Sequence, residues 1–219
     1  MFKGYCFPKE IILQAVYFKL RFSLSYRDIE ELLSIRGVTV DHATVQRWVY
    51  KFTPLIEEVF RKRKKSVISS WRMDETYIKV KGEWMFLYRA VDKVGDTVDF
   101  LLTKRRNKLA AHKFLLKAIT NNGCPKVINI DKSGANREAI RTYNKRRLKR
   151  IRIRQCKYLN NRVEGDHRFI KWRTAGMLGF KSFESASRTL TGIEIVRMIK
   201  KEQVSFPMAT YFKTFCSLA

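Results

Sequence analysis

Residues 71–91 read WRMDETYIKVKGEWMFLYRAV, and this stretch decides the fold. Two runs rich in Val, Ile, Tyr, Phe and Trp, about 71–80 and 84–91, are separated by a turn at Lys81-Gly82. A third such run, about 97–102, follows a turn at Gly95-Asp96, so three strands are expected in succession. Downstream the period changes. A helix is expected at about 111–120, then the break Gly123-Cys124-Pro125, then a short apolar strand, Val127-Ile128-Asn129-Ile130, ending on Asp131. A helix at about 136–148 and an alternating apolar and basic strand at 151–154 come next. A further helix begins near Asn161, carries Glu164, Arg168 and Lys171, and frays near Gly176; an amphipathic helix covers about 182–200.

This order, antiparallel at its start and parallel in its continuation, is compatible with an α/β core: a mixed five-stranded sheet with helices, of the ribonuclease-H-like kind. Before it, residues 1–52 read as three helices. Pro8 opens the first, which runs to about Phe22; Ser25 caps the second, with Asp28 in its first turn and Gly37 stopping it. Asp41 caps the third, expected to end near Phe52, with Val45, Trp48, Val49 and Phe52 along one apolar stripe. Ala43, Gln46, Arg47, Tyr50 and Lys51 lie on or beside its other face. Two short helices joined by a Gly-containing turn, the second polar outward, make a helix-turn-helix DNA-binding pattern; a small helical hairpin with a solvated face fits as well. Residues 53–69 read as a basic linker, opened by Pro54 and carrying five consecutive cations from Arg61 to Lys65. Arg61, Arg63 and Lys64 are its candidate phosphate contacts. The 70–200 segment is the expected catalytic domain, and 201–219 a tail without a readable pattern.

Composition narrows the function classes. The 219 residues hold 46 Lys or Arg against 20 Asp or Glu, a net charge of +26. A chain so basic self-repels without a polyanionic partner, so nucleic acid leads and an anionic membrane surface trails. No apolar run approaches the roughly 18 residues of a bilayer span, and no secretory signal is visible. The four cysteines are dispersed, without a C-x-x-C pair, which argues against a zinc knuckle or a disulfide framework and for a reduced cytosol. No G-x-x-x-x-G-K motif points to ATP.

The informative residues are acids in apolar surroundings. Asp74 lies inside a strand, Asp131 at the C-terminal end of one, and Glu164 in the first turn of a helix. If the first two of these strands pair side by side, Asp74 and Asp131 converge at one edge of the sheet and the helix brings Glu164 across. Three carboxylates can then hold hard divalent cations through oxygen ligands, two of which would clamp the attacking and leaving oxygens of a phosphodiester. Arg168 and Lys171 share a helix face with Glu164, where they can hold DNA phosphates; Asp166, two residues on, points away towards some basic neighbour. Eight cations between 145 and 157 form a further candidate strip for the backbone. Each acid alone also fits a duller role: an edge-strand charge for Asp74, a turn residue for Asp131, an ion pair with Arg168 for Glu164.

Four segments in order, SYRDIEELLSIRGVTVDHATVQRWV, WRMDETYIKVKGEWMFLYRAVD, INIDKSGAN and KYLNNRVEGDHRFIKWR, resemble the small bacterial DDE transposases of the insertion-sequence-six family. The resemblance spans about 23–200. It implies a helix-turn-helix that reads terminal inverted repeats and a ribonuclease-H-like core in which Asp74, Asp131 and Glu164 bind metal, with Lys171 as the basic residue seven beyond the glutamate. It further implies Mg²⁺, with Mn²⁺ as a substitute and two ions in the site, and end cleavage followed by strand transfer. A homodimer or larger assembly on paired ends is expected in the bacterial cytoplasm at the nucleoid. Gly165 departs from the Gln that relatives often carry, and Gly costs about 1 kcal/mol in a helix interior. The competing readings are a non-enzymatic DNA-binding regulator and a plain metal nuclease.

Overall fold

In the computed structural model of the chain the described residues are 2, 4–132, 134–145, 150–175, 177 and 179–219, with the backbone alone at 157 and 162. They form two compact units, Ser66–Lys171 and Met1–Lys65 with Trp172–Ala219.

In the first unit, β1 (Ser70–Val80) and β2 (Glu83–Asp92) form an antiparallel hairpin. Lys81 and Gly82 both have positive φ, 50° and 85°, the hand that matches strand twist in a two-residue turn. β3 (Thr97–Thr103) pairs antiparallel with β2. The connection is pinned by buried Asp92, whose carboxylate accepts from the backbone N–H groups of Val94, Gly95 and Asp96 and from that of Ile68. α4 (Lys108–Asn122) leads to β4 (Val127–Ile130), which lies parallel to β1; α5 (Gly134–Lys145) leads to β5 (Arg152–Gln155), parallel to β4. The strand order is β3-β2-β1-β4-β5, the mixed five-stranded sheet expected. Trp71, Met73, Tyr88, Phe114, Ile128, Ile130 and Ile140 belong to its buried core. A 3-10 turn, Lys157–Asn160, precedes α6 (Asn161–Ala175).

In the second unit, α1 (Lys9–Arg21), α2 (Tyr26–Ser34) and α3 (His42–Arg63) follow one another. Ser25 and Asp28 form a reciprocal capping box, Gly37 takes a φ of 74° after α2, and the Asp41 carboxylate caps α3. α7 (Phe183–Lys200) and α8 (Tyr211–Cys216) complete the unit.

Four features depart from the sequence reading. First, α3 continues through Pro54 to Arg63 instead of ending near Phe52. Proline removes the bond to the carbonyl four residues back, that of Tyr50. Arg188 of α7 supplies the missing donor: its Nη1 donates to Tyr50 O at 2.7 Å, while its guanidinium stacks 3.7 Å from the Tyr50 ring centroid. Thus 53–63, read as linker, is helix. Second, the tail after Glu202 is ordered by packing: Val204 bridges Lys64, and Phe215 and Leu218 are fully buried. Third, α4 begins earlier because Asn107 caps it. Fourth, β5 is mostly exposed rather than half-buried. The end of the 136–148 helix, the fraying at Gly176, and four cations of the 145–157 strip (the side chains of Arg146, Arg147, Lys149 and Lys157) lie outside the described residues. No helix among the described residues is long and apolar enough to cross a membrane.

Candidate active site

The register of the sheet builds the site. β1 and β4 pair Ser70 with Val127 and Trp71 with Ile128, an offset of 57 residues that carries Asp74 level with Asp131, one residue past the end of β4. Asp131 sits at the C-terminal edge of a parallel strand, where open α/β sheets place their ligands. On β1, Asp74 stands opposite Arg89 of β2, and paired residues face the same side of a sheet. α6 engages that side through two consecutive residues. Asp166 takes an ion pair at 3.1 Å from Arg89, which is wholly buried, and His167 Nδ1 lies 3.7 Å from Asp74 Oδ2. With Asp166 and His167 turned inward, Glu164, Arg168 and Lys171 are left exposed.

Electrostatics ties the three acids together. Burial pushes the Asp74 carboxyl up to about 7, and the charges of Glu75, Asp131 and Glu164 push it in the same direction. A buried carboxyl pushed up by two further acids, all with oxygen as donor atom, suits a hard divalent cation, whose charge reverses that push. The triad is not a closed ligand cage. Among the described residues the trio whose ligand atoms all lie within 4.8 Å of one another is Glu30, Asp41 and His42, at the start of α3.

Supporting contacts that sequence reasoning missed hold each acid's element. Asn129, two residues before Asp131, donates to Asn160 Oδ1 (2.6 Å) and Cys156 O (3.0 Å), tying β4 to the start of α6. Glu75 accepts from Asn136 of α5 at 3.0 Å and is ion-paired with Arg106, fixing the helix that follows Asp131. Buried Asn and Glu side chains have no periodicity to betray them; Arg89 could have been found by counting across the hairpin from Asp74. Asp166 meets a basic neighbour, Arg89, and does so buried within the sheet unit, an inward direction that the sequence reading did not include. A Cβ on Gly165 would meet nothing within 4 Å among the described residues, so space does not demand glycine there.

In the helical unit, Gln46, Arg47 and Lys51 of α3 are exposed, and Ala43 with Gln46 lines a cavity of about 400 Å³ that also includes Arg27 and Lys181. Tyr50 is occupied: its ring lies under Arg188, and its hydroxyl donates to Glu184. The linker cations are also engaged. Arg61 pairs with Glu57, and Arg63 donates to Ser217 O and Oγ, Ser205 O and Phe206 O. Lys64 lies in the backbone bridge to Val204.

A mixed sheet in this order, with acids at the middle of β1 and the end of β4, is that of a ribonuclease-H-like enzyme of the DDE class. Residues 68–203 match the family model described as DDE domain. The transposase for insertion sequence-like element IS431mec of Staphylococcus aureus (strain Mu50) is 41% identical over 197 residues, covering 90% of this chain and 87% of that protein. The transposase for insertion sequence element IS257 in transposon Tn4003 of Staphylococcus aureus matches with the same identity and coverage. The HTLV-2 integrase catalytic core domain in complex with magnesium is a more distant likeness, 19% identical with a TM-score of 0.42, covering 60% of this chain and 86% of that one. The chain belongs to the DDE transposases of the insertion-sequence-six family, metal-dependent enzymes of DNA transposition.

Proposed function

We propose that this transposase binds the terminal inverted repeats of its element through α3, cuts the element's ends at Asp74, Asp131 and Glu164, and joins the freed 3′-hydroxyl to target DNA. The observation that carries this reading is the register that brings Asp74 level with Asp131, together with the push of Asp131 and Glu164 on the Asp74 carboxyl. In the reading, the three carboxylates hold two Mg²⁺ ions, or Mn²⁺ in their place. When bound, the ions supply Lewis-acid charge at the attacking and leaving oxygens of a phosphodiester. Arg168 and Lys171, exposed one and two turns beyond Glu164, hold the phosphates on either side of the scissile bond. His167 lies beside Asp74, its Nδ1 3.7 Å from Oδ2, and borders the carboxylate on the α6 side. The attacking group is first water and then the 3′-hydroxyl, both in line, so no covalent enzyme intermediate is needed.

End recognition falls to Gln46 and Arg47, with Lys51 and Lys64 on phosphate; Tyr50, Arg61 and Arg63 are engaged within the protein instead. Two ends require at least two copies of the chain, acting at the bacterial nucleoid. The test is nicking and joining of a labelled terminal-repeat duplex with a band-shift control. Asp74→Asn, Asp131→Asn and Glu164→Gln should each abolish both steps, by a factor on the order of 10³ or more, and leave binding intact. Normal cutting by the Glu164 variant would sink the triad. Cutting without joining by the unaltered chain would favour a plain nuclease. Arg47→Ala should cost about 1–3 kcal/mol on the cognate end and little on unrelated DNA.

A further inference from the structure

One face of the sheet carries Trp71, Met73, Glu75, Tyr77 and Lys79 of β1, and cover over it stops halfway. Trp71, Met73 and Tyr88 are buried in a core with Phe114 of α4 and Ile140 of α5. Beyond Glu75 the face opens: Tyr77 is 45% and Trp84 60% exposed. The register sets Tyr77 opposite Phe86 and Lys79 opposite Trp84, and the side chains meet. Ring centroids lie 5.4 Å apart for Tyr77 and Phe86 and 6.2 Å for Tyr77 and Trp84, the latter edge to face; the Lys79 ammonium is 5.8 Å from the Trp84 centroid.

This aromatic arm lies on the opposite face of β1 from Asp74, and Arg106 links it to the acid-bearing end of the sheet. Arg106, in the loop between β3 and α4, pairs with Glu75, reaches to 3.5 Å from the Tyr77 hydroxyl, and feels the charge of Asp131. Among the described residues β4 pairs with β1 only over Ser70–Arg72, so beyond Asp74 the arm projects past the end of β4. Tyr77 lies three residues on from Asp74 and on the other face, a rise of roughly 10 Å at ~3.3 Å per residue, so a DNA strand leaving Asp74 reaches it by passing round the edge of β1 that β4 leaves uncovered. Charge selects the occupant. Lys79, Lys81 and Arg106 are exposed around the rings, and Glu75 is neutralised by Arg106, leaving Glu83 as the exposed acid of the hairpin. An apolar protein partner would leave those cations desolvated; a nucleotide offers a ring face to the aromatics and a phosphate to the cations.

We propose that Tyr77 and Trp84 form a stacking platform for unpaired nucleobases of the DNA strand running away from the scissile phosphate, with Lys79 and Arg106 on its phosphates. Its place beside the scissile bond rests on the reading of Asp74, Asp131 and Glu164 given above.

The test uses the full chain, without metal, and a duplex whose last three nucleotides are unpaired and carry 2-aminopurine. Stacking tolerates any base, so the sequence is free. Binding should quench the probe, and the open-ended duplex should bind more tightly than a blunt one. Tyr77→Ala with Trp84→Ala should lose the quench and weaken open-end binding about tenfold or more. Tyr77→Phe with Trp84→Phe should keep both, and so should Asp131→Asn. A quench that survives the double alanine variant overturns the proposal. So does an equal loss on blunt and open ends, or a fall in the sedimenting mass of the DNA-free protein, which would assign the patch to a second copy of the chain. If Asp131→Asn, assayed separately with Mg²⁺ added, cuts normally while the quench behaves as expected, the active-site reading fails and the stacking surface stands apart from it.

Discussion

The most deeply buried cations of the two units differ in their partners, although half-buried Arg61 and Arg188 of the helical unit also meet Glu57 and Glu184. In the helical unit the partners are backbone carbonyls: Lys19 donates to Leu24 O, Arg173 to Leu20 O and Phe22 O, Arg188 to Tyr50 O, and Arg63 to Ser205 O, Phe206 O and Ser217 O. In the sheet unit carboxylates enter: Arg89 meets Asp166, Arg106 meets Glu75, and Lys117 meets Asp99 as well as Phe100 O. The architecture explains the contrast. Helix ends and a proline inside a helix leave carbonyls without intrahelical donors, so a cation is a ready cap. In a sheet the ladder consumes the carbonyls, and a cation taken inside needs an anion. The excess of +26 therefore overstates what faces DNA, because part of it holds the fold together.

The hardest way to break the comparison is to leave a sheet-unit charge alone in the interior. Arg89 is wholly buried, and Asp166 is its partner on the helix that carries Glu164. Asp166→Ala or Arg89→Ala should each cost about 3–5 kcal/mol, read as a lower midpoint in thermal or denaturant unfolding. Asp166→Asn, harmless if the side chain merely pointed away, should also destabilise, though less, since the amide oxygen still accepts. Replacing both together, Arg89→Met with Asp166→Leu, should recover most of the loss. A single variant that unfolds like the unaltered chain would mean that the pair is not desolvated in solution.

The corresponding break in the helical unit should be milder, because carbonyl dipoles rather than a full charge lose their partner. Arg173, 1% exposed, holds Leu20 O, Phe22 O and Ser23 Oγ at the end of α1. Arg173→Ala should cost about 2–3 kcal/mol. Arg173→Lys should recover under half of it, since one ammonium cannot span three acceptors in a guanidinium's plane. Full rescue by lysine would show that charge, not the fork of donors, is what α1 needs.

How much was legible follows the same division. Strand runs, turns and the spacing of Asp74, Asp131 and Glu164 are local or periodic, and the sequence displays them; so are the caps Ser25 and Asp41. What it hides depends on a partner far along the chain. Pro54 reads as a helix end because Arg188, 134 residues later, cannot be paired with Tyr50 by inspection. Arg63 reads as part of a DNA-binding run because its four acceptors lie in a tail with no pattern of its own. Tyr50 looks like a base reader for the same reason. In the site, the acids announce themselves by charge in apolar surroundings, whereas Asn129, Asn136 and Asn160 are neutral and positioned by the loops they tie.

The subtlest difference between the units is titratable. Lys19 is 5% exposed, its ammonium 2.7 Å from Leu24 O and 4.5 Å from the Tyr26 ring centroid. Burial pushes it down to about 8, the Arg173 charge pushes the same way, and Asp28 opposes them. A neutral amine still donates to a carbonyl, so losing the proton costs no hydrogen bond. Below pH 8 Lys19 is charged both folded and unfolded, and its buried charge lowers stability. Between about pH 8 and 10.5 the folded chain sheds the proton that the unfolded chain keeps, so unfolding takes up a proton and stability rises with pH. Tyr26, pushed up to about 12 by burial, and Tyr17, also raised by burial, act in the opposite direction above pH 10. Cys216, raised by burial, opposes from about pH 9, and Lys200, lowered by burial, adds to the rise. The difference from a Lys19 variant, in which these shared groups cancel, is what isolates Lys19. The stability of the unaltered chain relative to Lys19→Met should therefore climb by about 1 kcal/mol between pH 8 and 9. The ion pairs of the sheet unit, each cation facing a carboxylate, should give no such climb in the same scan. A difference between the two proteins that stays flat across this range would place Lys19 among ordinary lysines and leave the helical unit no more tolerant of a neutral partner than the sheet.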